Sequence, residues 1–155
     1  MFANKSLFTI VIFIAILQFS QVNSTTIEIP SATGWPLLRS SSAFETIYNR
    51  NDNQLIVIYF TKDNCPPCNV CAPLIGPLIL NSTYANVQFF EINFSHFLNI
   101  PTDYEVLEVT SLPSVKFYRN YEATENGYIK FLWKSAAPMV MAQDTKKFLE
   151  ANYNL

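Results

Sequence analysis

The chain has 155 residues, the length of one domain, of which 50% are hydrophobic and only 14% charged, against roughly 25% charged in an ordinary soluble domain. So little charge excludes a disordered tail or a charged binding arm, and a net charge of −2 argues against a nucleic-acid backbone as partner, which would need clustered Lys and Arg. Three Cys and a single His leave a hydrolase one candidate base, and a four-ligand zinc site would consume nearly all of them.

Part of the apolar excess lies at the start. One lysine, Lys5, precedes an apolar run from Leu7 to Phe19, and a polar stretch follows that ends at Val22-Asn23-Ser24. This is the pattern of a secretory signal peptide over residues 1–24, with cleavage near Ser24. The competing reading is an uncleaved membrane anchor, but the run is short of the roughly 20 residues a span needs and is interrupted by Thr9 and Gln18. Removing the segment leaves nine basic and twelve acidic residues. The mature chain is expected in an oxidising compartment, where Cys pairs tend to become disulfides. It ends Asn152-Tyr153-Asn154-Leu155, which is not an ER-retrieval signal, so secretion or an endomembrane lumen is expected. Asn81-Ser82-Thr83 and Asn93-Phe94-Ser95 are N-glycosylation sequons, no more than chance supplies.

Residues 25–42 form a polar lead-in with at most one short strand, near Ile27–Ile29. The domain is placed at 43–152. Ser41 or Ser42 can cap a short helix carrying Ala43, Phe44, Ile47 and Tyr48. Leu55 to Phe60 is a continuous β-branched and aromatic run, the pattern of a central strand buried on both faces. Cys65-Pro66-Pro67-Cys68 opens a helical stretch to about Leu80 that Pro73 and Pro77 must interrupt. Val87 to Asn93 reads as a second strand and Thr102 to Val109 as a short helix. Ser114 to Arg119 alternates at period two, which predicts one buried face. Tyr128 to Trp133 follows an Asn126-Gly127 turn as a hairpin partner. A helix from Pro138 to Asn152 closes the chain, with Val140, Met141, Phe148 and Leu149 as its apolar face. Alternating strands and helices imply an α/β layer.

The chemistry concentrates at Cys65 and Cys68. They lie between a buried strand and a helix N-terminus, whose free N–H groups and partial positive charge stabilise a thiolate. The two-residue spacer brings both sulfurs within disulfide reach across one turn, a redox site with a mechanism.

Three blocks carry a resemblance to the thioredoxin-fold family, on the side of thioredoxin and protein disulfide isomerase domains. They are Val57-Ile58-Tyr59-Phe60 leading to Cys65-Pro66-Pro67-Cys68 and Cys71-Ala72-Pro73; Val87 to Asn93; and Ser111-Leu112-Pro113-Ser114-Val115-Lys116-Phe117-Tyr118-Arg119-Asn120. The resemblance spans about Phe44 to Leu149. It implies an α/β thioredoxin fold, with a central mixed sheet of four to five strands flanked by helices. It implies that Leu112–Pro113 is a cis peptide bond beside the cysteines and that the Leu112 backbone pairs with an extended substrate. Cys65 would be the nucleophile and Cys68 the resolving thiol, with Pro66, Pro67 and Leu112 against substrate and Pro113 in the catalytic loop. The redox-active disulfide would replace any cofactor, and no metal is expected. The partners would be protein substrates carrying disulfides or thiols, handled by a monomer, with membrane contact only if the N-terminal segment is an anchor.

The sequence departs from the family pattern at two places. The buried carboxylate usual six residues before the first Cys is Tyr59 here, and the Trp usual just before that Cys is Asn64. Glu91 and Asp63 are the nearby carboxylates in sequence and neither is assigned a proton role. The Pro-Pro spacer withholds two N–H donors from the Cys65 thiolate, which predicts a poise toward the reducing end of the family. Cys71 is expected to be a buried apolar Cys rather than a third redox or metal-binding thiol, and His96 a surface loop residue. Leu74, Ile75, Leu78, Ile79 and Leu80 exceed what one helix face can bury, so some are expected near solvent. Two functions follow: a thiol-disulfide oxidoreductase acting on protein disulfides through the C-x-x-C pair in the secretory pathway, or a thioredoxin-fold binding or scaffold module that captures peptides or a partner with little turnover.

Overall fold

The computed structural model describes residues 30–48, 54–98, 107, 109–119, 131–134 and 137–153. The expected signal peptide, the Ile27–Ile29 strand, most of the Thr102–Val109 helix and the Asn126-Gly127 turn lie outside them. Within that helix Leu107 is helical and buried. Among the described residues no helix is long and apolar enough to cross a membrane.

The elements are α1 (Ser41–Tyr48), β1 (Leu55–Thr61), α2 (Pro66–Ile75), a 3₁₀ continuation (Gly76–Leu80), a 3₁₀ turn (Ser82–Tyr84), β2 (Gln88–Asn93), β3 (Ser114–Arg119), β4 (Phe131–Lys134) and α3 (Pro138–Asn152). The strands form one mixed sheet in the order β2-β1-β3-β4. β1 runs parallel to β2 and antiparallel to β3, and β3 runs antiparallel to β4. Every residue of β1 is buried, because neighbours flank it on both edges and apolar layers cover both faces. Alternation along β1 divides the core. Val57 and Tyr59 pack with Cys71, Ile75, Met141 and Leu149 on the α2 and α3 side. Ile56, Ile58 and Phe60 pack with Phe44, Ile92, Phe94 and Leu107 on the other.

Three expectations need correction. The cap of α1 is Ser40, whose Oγ accepts from Ala43 N at 3.2 Å; the helix begins one residue earlier than the apolar spacing suggested. β3 is buried on both faces except at Arg119. Its polar members Ser114 and Lys116 read as a solvent face, but each finds an internal acceptor: Ser114 Oγ donates to Ser111 O, and Lys116 Nζ to Leu107 O. On α3, Val140 is 44% exposed. The buried stripe is Met141, Thr145 and Leu149 at four-residue spacing, where Thr145 is tolerated because its hydroxyl donates to Met141 O at 2.7 Å.

The lead-in is part of the fold. Leu37 and Ser40 make parallel bridges beside β2, to Glu91 and Leu98, and Trp35 is 1% exposed in the α2-side core. Trp35 meets Phe89 at 4.9 Å and Tyr59 at 6.5 Å between ring centroids, and its Nε1 donates to Gly76 O at 2.9 Å. Gly76 lies so close to this segment that a Cβ there would stand 2.5 Å from Thr33 O.

Candidate active site

β1 delivers the chain to the C-terminal edge of the sheet, where it turns sharply into α2. Asn64 takes the left-handed conformation at the turn, with φ 53°. Asn tolerates it better than most residues because its short side chain can bond locally, which gives the residue just before Cys65 a structural reason. Cys65 is the N-cap of α2, and its Sγ accepts from Cys68 N at 3.3 Å. The two cysteines are joined as a disulfide, with 5.2 Å between their Cα atoms. Cys65 is 4% exposed and Cys68 wholly buried.

The helix end is poorer in donors than most. Pro66 and Pro67 have no N–H, and Asn69 N donates to Cys65 O at 3.1 Å. Of the first four amide positions of α2, only Cys68 N points its hydrogen at the Cys65 sulfur. Pro73 removes a further helical bond, and after Ile75 the helix tightens into the 3₁₀ continuation at Gly76-Pro77. Ile75 is buried, while Val70 (56%), Leu74 (39%) and Leu80 (83%) reach solvent, so the apolar surplus of this region does extend outward.

An open groove of about 610 Å³ runs beside the disulfide. One wall is Cys65, Pro66 and Pro67; the opposite wall is the segment from Val109 to Leu112; Phe94, Lys62 and Asn64 complete it. The Leu112–Pro113 peptide bond is cis, and Pro113 is buried directly after the groove wall. The structure thus gathers Cys65, Pro66, Pro67 and Leu112 at one opening, with Cys68 beneath Cys65 and Pro113 beneath Leu112.

Below the cysteines stands Tyr59, fully buried. Its hydroxyl donates to Cys68 O at 2.9 Å. Burial raises its ionisation well above the ordinary phenol range, and Cys71 and Glu91 push the same way, so the group is a neutral donor. Cys71 lies in the same layer. Burial pushes its thiol up to about 12, partly offset by the Tyr59 hydroxyl, so it remains protonated and inert at ordinary pH. His96 lies in the turn after β2, partly exposed, and its Nε2 is 2.8 Å from Asp63 Oδ2. The Asn93 amide, bonded to Asp63 Oδ1 at 3.0 Å, together with His96 holds that carboxyl below the usual range. Among the described residues no cluster of His, Cys, Asp or Glu could hold a metal ion.

Two features escaped the sequence reading. Glu91 pairs with Tyr59 across β1 and β2 and is fully buried. Its carboxylate accepts from Ser31 Oγ, Ala32 N, Thr33 N and Thr33 Oγ1 at 2.7–3.0 Å, which fastens the lead-in over the site's floor. A lone carboxylate inside the apolar run Phe89-Phe90-Glu91-Ile92 was the available signal, since a buried charge must be paired or bonded. Lys62 in the groove wall carried no signal, because a lysine after a strand is an ordinary surface residue.

The thioredoxin family model matches residues 37–130. Over 83 residues the chain is 28% identical to mouse thioredoxin, covering 54% of this chain and 74% of that one, and over 82 residues it is 27% identical to horse thioredoxin, covering 53% and 73%. Among solved structures it is similar to oxidised thioredoxin O1 from Arabidopsis thaliana, with a TM-score of 0.59 at 21% identity over 76% of this chain and 96% of that one. It is also similar to oxidised mitochondrial thioredoxin 3 from Saccharomyces cerevisiae, with a TM-score of 0.53 at 22% identity over 76% and 99%. The first helix turn with its Cys65–Cys68 disulfide, the mixed sheet that presents it and the family match over more than half the chain agree: this chain belongs to the thioredoxin family and shares its disulfide redox function.

Proposed function

We propose that the protein exchanges disulfides with protein substrates in the secretory pathway. The observation that carries this reading is the Cys65–Cys68 disulfide at the edge of an open groove of about 610 Å³ lined by Cys65, Pro66, Pro67 and Leu112 among others. In the reducing direction the Cys65 thiolate attacks one sulfur of a substrate disulfide. A Cys65–substrate bond forms, the substrate S–S bond breaks, and the departing thiolate takes a proton from solvent. Cys68, deprotonated, then attacks Cys65 Sγ, closes the intramolecular disulfide and releases the second substrate thiol. The substrate gains two electrons and two protons, and the protein loses them; the oxidised protein runs the same steps backward. The exposed Pro66 and Pro67 and the backbone at Leu112 form the contact surface, and the buried Pro113 supports it. The pathway assignment rests on the leader pattern of residues 1–24.

A single amide aimed at Cys65 stabilises its thiolate weakly, which supports a reducing poise. Equilibration with glutathione buffers measures it, and a potential near −120 mV would contradict this part. Insulin reduction with dithiothreitol as donor tests the exchange itself, with Cys65→Ser as control: the variant is expected to fall to the rate of dithiothreitol alone. One observation favours the second reading, a binding module with little turnover. Tyr59 is a neutral donor committed to Cys68 O and takes no proton from the resolving thiol. Equal rates for wild type and Cys65→Ser would leave that reading standing.

A further inference from the structure

The groove beside the disulfide carries one formal charge among its lining residues. Pro66, Pro67, Phe94, Val109 and Leu112 supply its apolar part, Asn64, Thr110 and Ser111 its neutral polar part, and Lys62 is the charged side chain. The adjacent acid in sequence, Asp63, would be the natural partner for that ammonium, but both its oxygens are occupied. Oδ2 faces His96 Nε2 at 2.8 Å, and Oδ1 accepts from Asn93 Nδ2 at 3.0 Å. The arrangement is locked by two further bonds, Ser95 Oγ accepting from Asp63 N and Asn93 Oδ1 accepting from Ser95 N, each at 3.0 Å. The loop after β2 therefore turns the carboxylate toward itself. Among the described residues Lys62 pairs with no carboxylate.

A cation with no carboxylate partner among the described residues, set among apolar and neutral polar neighbours, is a complement for an anion. It draws an opposite charge during encounter and rejects a like one in the complex. Charges farther away than about 8–10 Å act weakly here at physiological salt, and Asp63, the neighbouring carboxylate in sequence, is turned to Asn93 and His96. We infer that Lys62 makes the site select disulfides flanked by acidic residues: polypeptide segments with a carboxylate within a residue or two of the attacked cystine. This deepens the exchange reading and rests on it.

The test uses three cystine peptides of one length, with Glu, Gln or Lys beside the half-cystine, and the full chain reduced and freed of reductant. Second-order rate constants are divided by those of the same peptides with dithiothreitol, a neutral thiol, to remove intrinsic reactivity. The wild type is expected to favour the Glu peptide over the Gln peptide about three- to five-fold, the scale of an exposed ion pair, and to disfavour the Lys peptide. The preference should shrink as salt rises to about 0.5 M. Lys62→Gln should remove the preference and Lys62→Glu should invert it. A Lys62→Glu protein that keeps the wild-type order, or wild-type rates equal for all three peptides, overturns the inference and leaves the exchange reading intact. No reaction with any peptide overturns both.

Discussion

Replacing Glu91 by Gln removes one charge from a site built around it. Its Oε2 accepts three bonds, from Ser31 Oγ at 2.8 Å, Thr33 N at 2.8 Å and Thr33 Oγ1 at 2.7 Å, while Oε1 accepts one, from Ala32 N at 3.0 Å. A carboxamide can leave its oxygen at the first position only by placing an NH₂ against Ala32 N–H, donor against donor. The remaining bonds fall from charge-assisted to neutral, a loss of about 1 kcal/mol each, and the orphaned amide costs about 1–3 kcal/mol more. Relief from burying a charge offsets part of this, leaving a net loss of about 2–4 kcal/mol. Urea unfolding of the oxidised protein measures it. Tryptophan fluorescence is a suitable probe, because Trp35 sits between the Glu91-anchored loop and Tyr59 and should become more solvated even in the native variant. A stability loss below about 0.5 kcal/mol, with native Trp emission unchanged, would refute the idea that Glu91 holds the lead-in over the floor of the site.

Gly76→Ala brings a methyl Cβ to 2.5 Å from the Thr33 backbone oxygen and should cost about 1–3 kcal/mol in thermal or urea unfolding, with Trp35 again reporting the displacement. Tyr59→Phe deletes the donor to Cys68 O and should lower stability by about 1 kcal/mol; an unchanged urea midpoint would show that the bond contributes nothing. Cys71 should resist iodoacetamide in the native protein at pH 8, while Cys65 of the reduced protein, which lines the groove, alkylates. Its folded-state value of about 12 exceeds the ordinary 9.0, so the fold binds this proton more tightly than the unfolded chain does. The stability it contributes is complete below pH 9 and declines as pH rises toward 12. Stability measured between pH 8 and 10.5 should therefore fall less steeply in Cys71→Ala than in wild type, and parallel curves would contradict the assignment.

Local pattern was enough for much of this protein. The β-branched run Leu55–Phe60 announces a doubly buried central strand because no polar residue interrupts it. Cys65-Pro66-Pro67-Cys68 announces a helix start because proline suits the first turn and the pair spans one turn. The closing helix begins at Pro138 as its sequence indicates. These features depend on neighbours a few residues apart, which periodicity reports.

What only the tertiary structure decided are partnerships between residues far apart in the chain, for which periodicity carries no signal. Lys116 looks like a solvent residue in an alternating strand and is buried because a carbonyl at Leu107 receives it. Glu91 is an interruption in an apolar strand until Ser31, Ala32 and Thr33, some sixty residues earlier, arrive with four donors. Trp35, in a segment whose composition reads as polar lead-in, becomes core because that same anchoring lays it on Phe89 and Tyr59. The cysteines were legible as chemistry in one dimension. The groove they open into, and the Lys62 cation that Asp63 leaves without a carboxylate partner among the described residues, arise only when the loop after β2 folds back beside the end of β1.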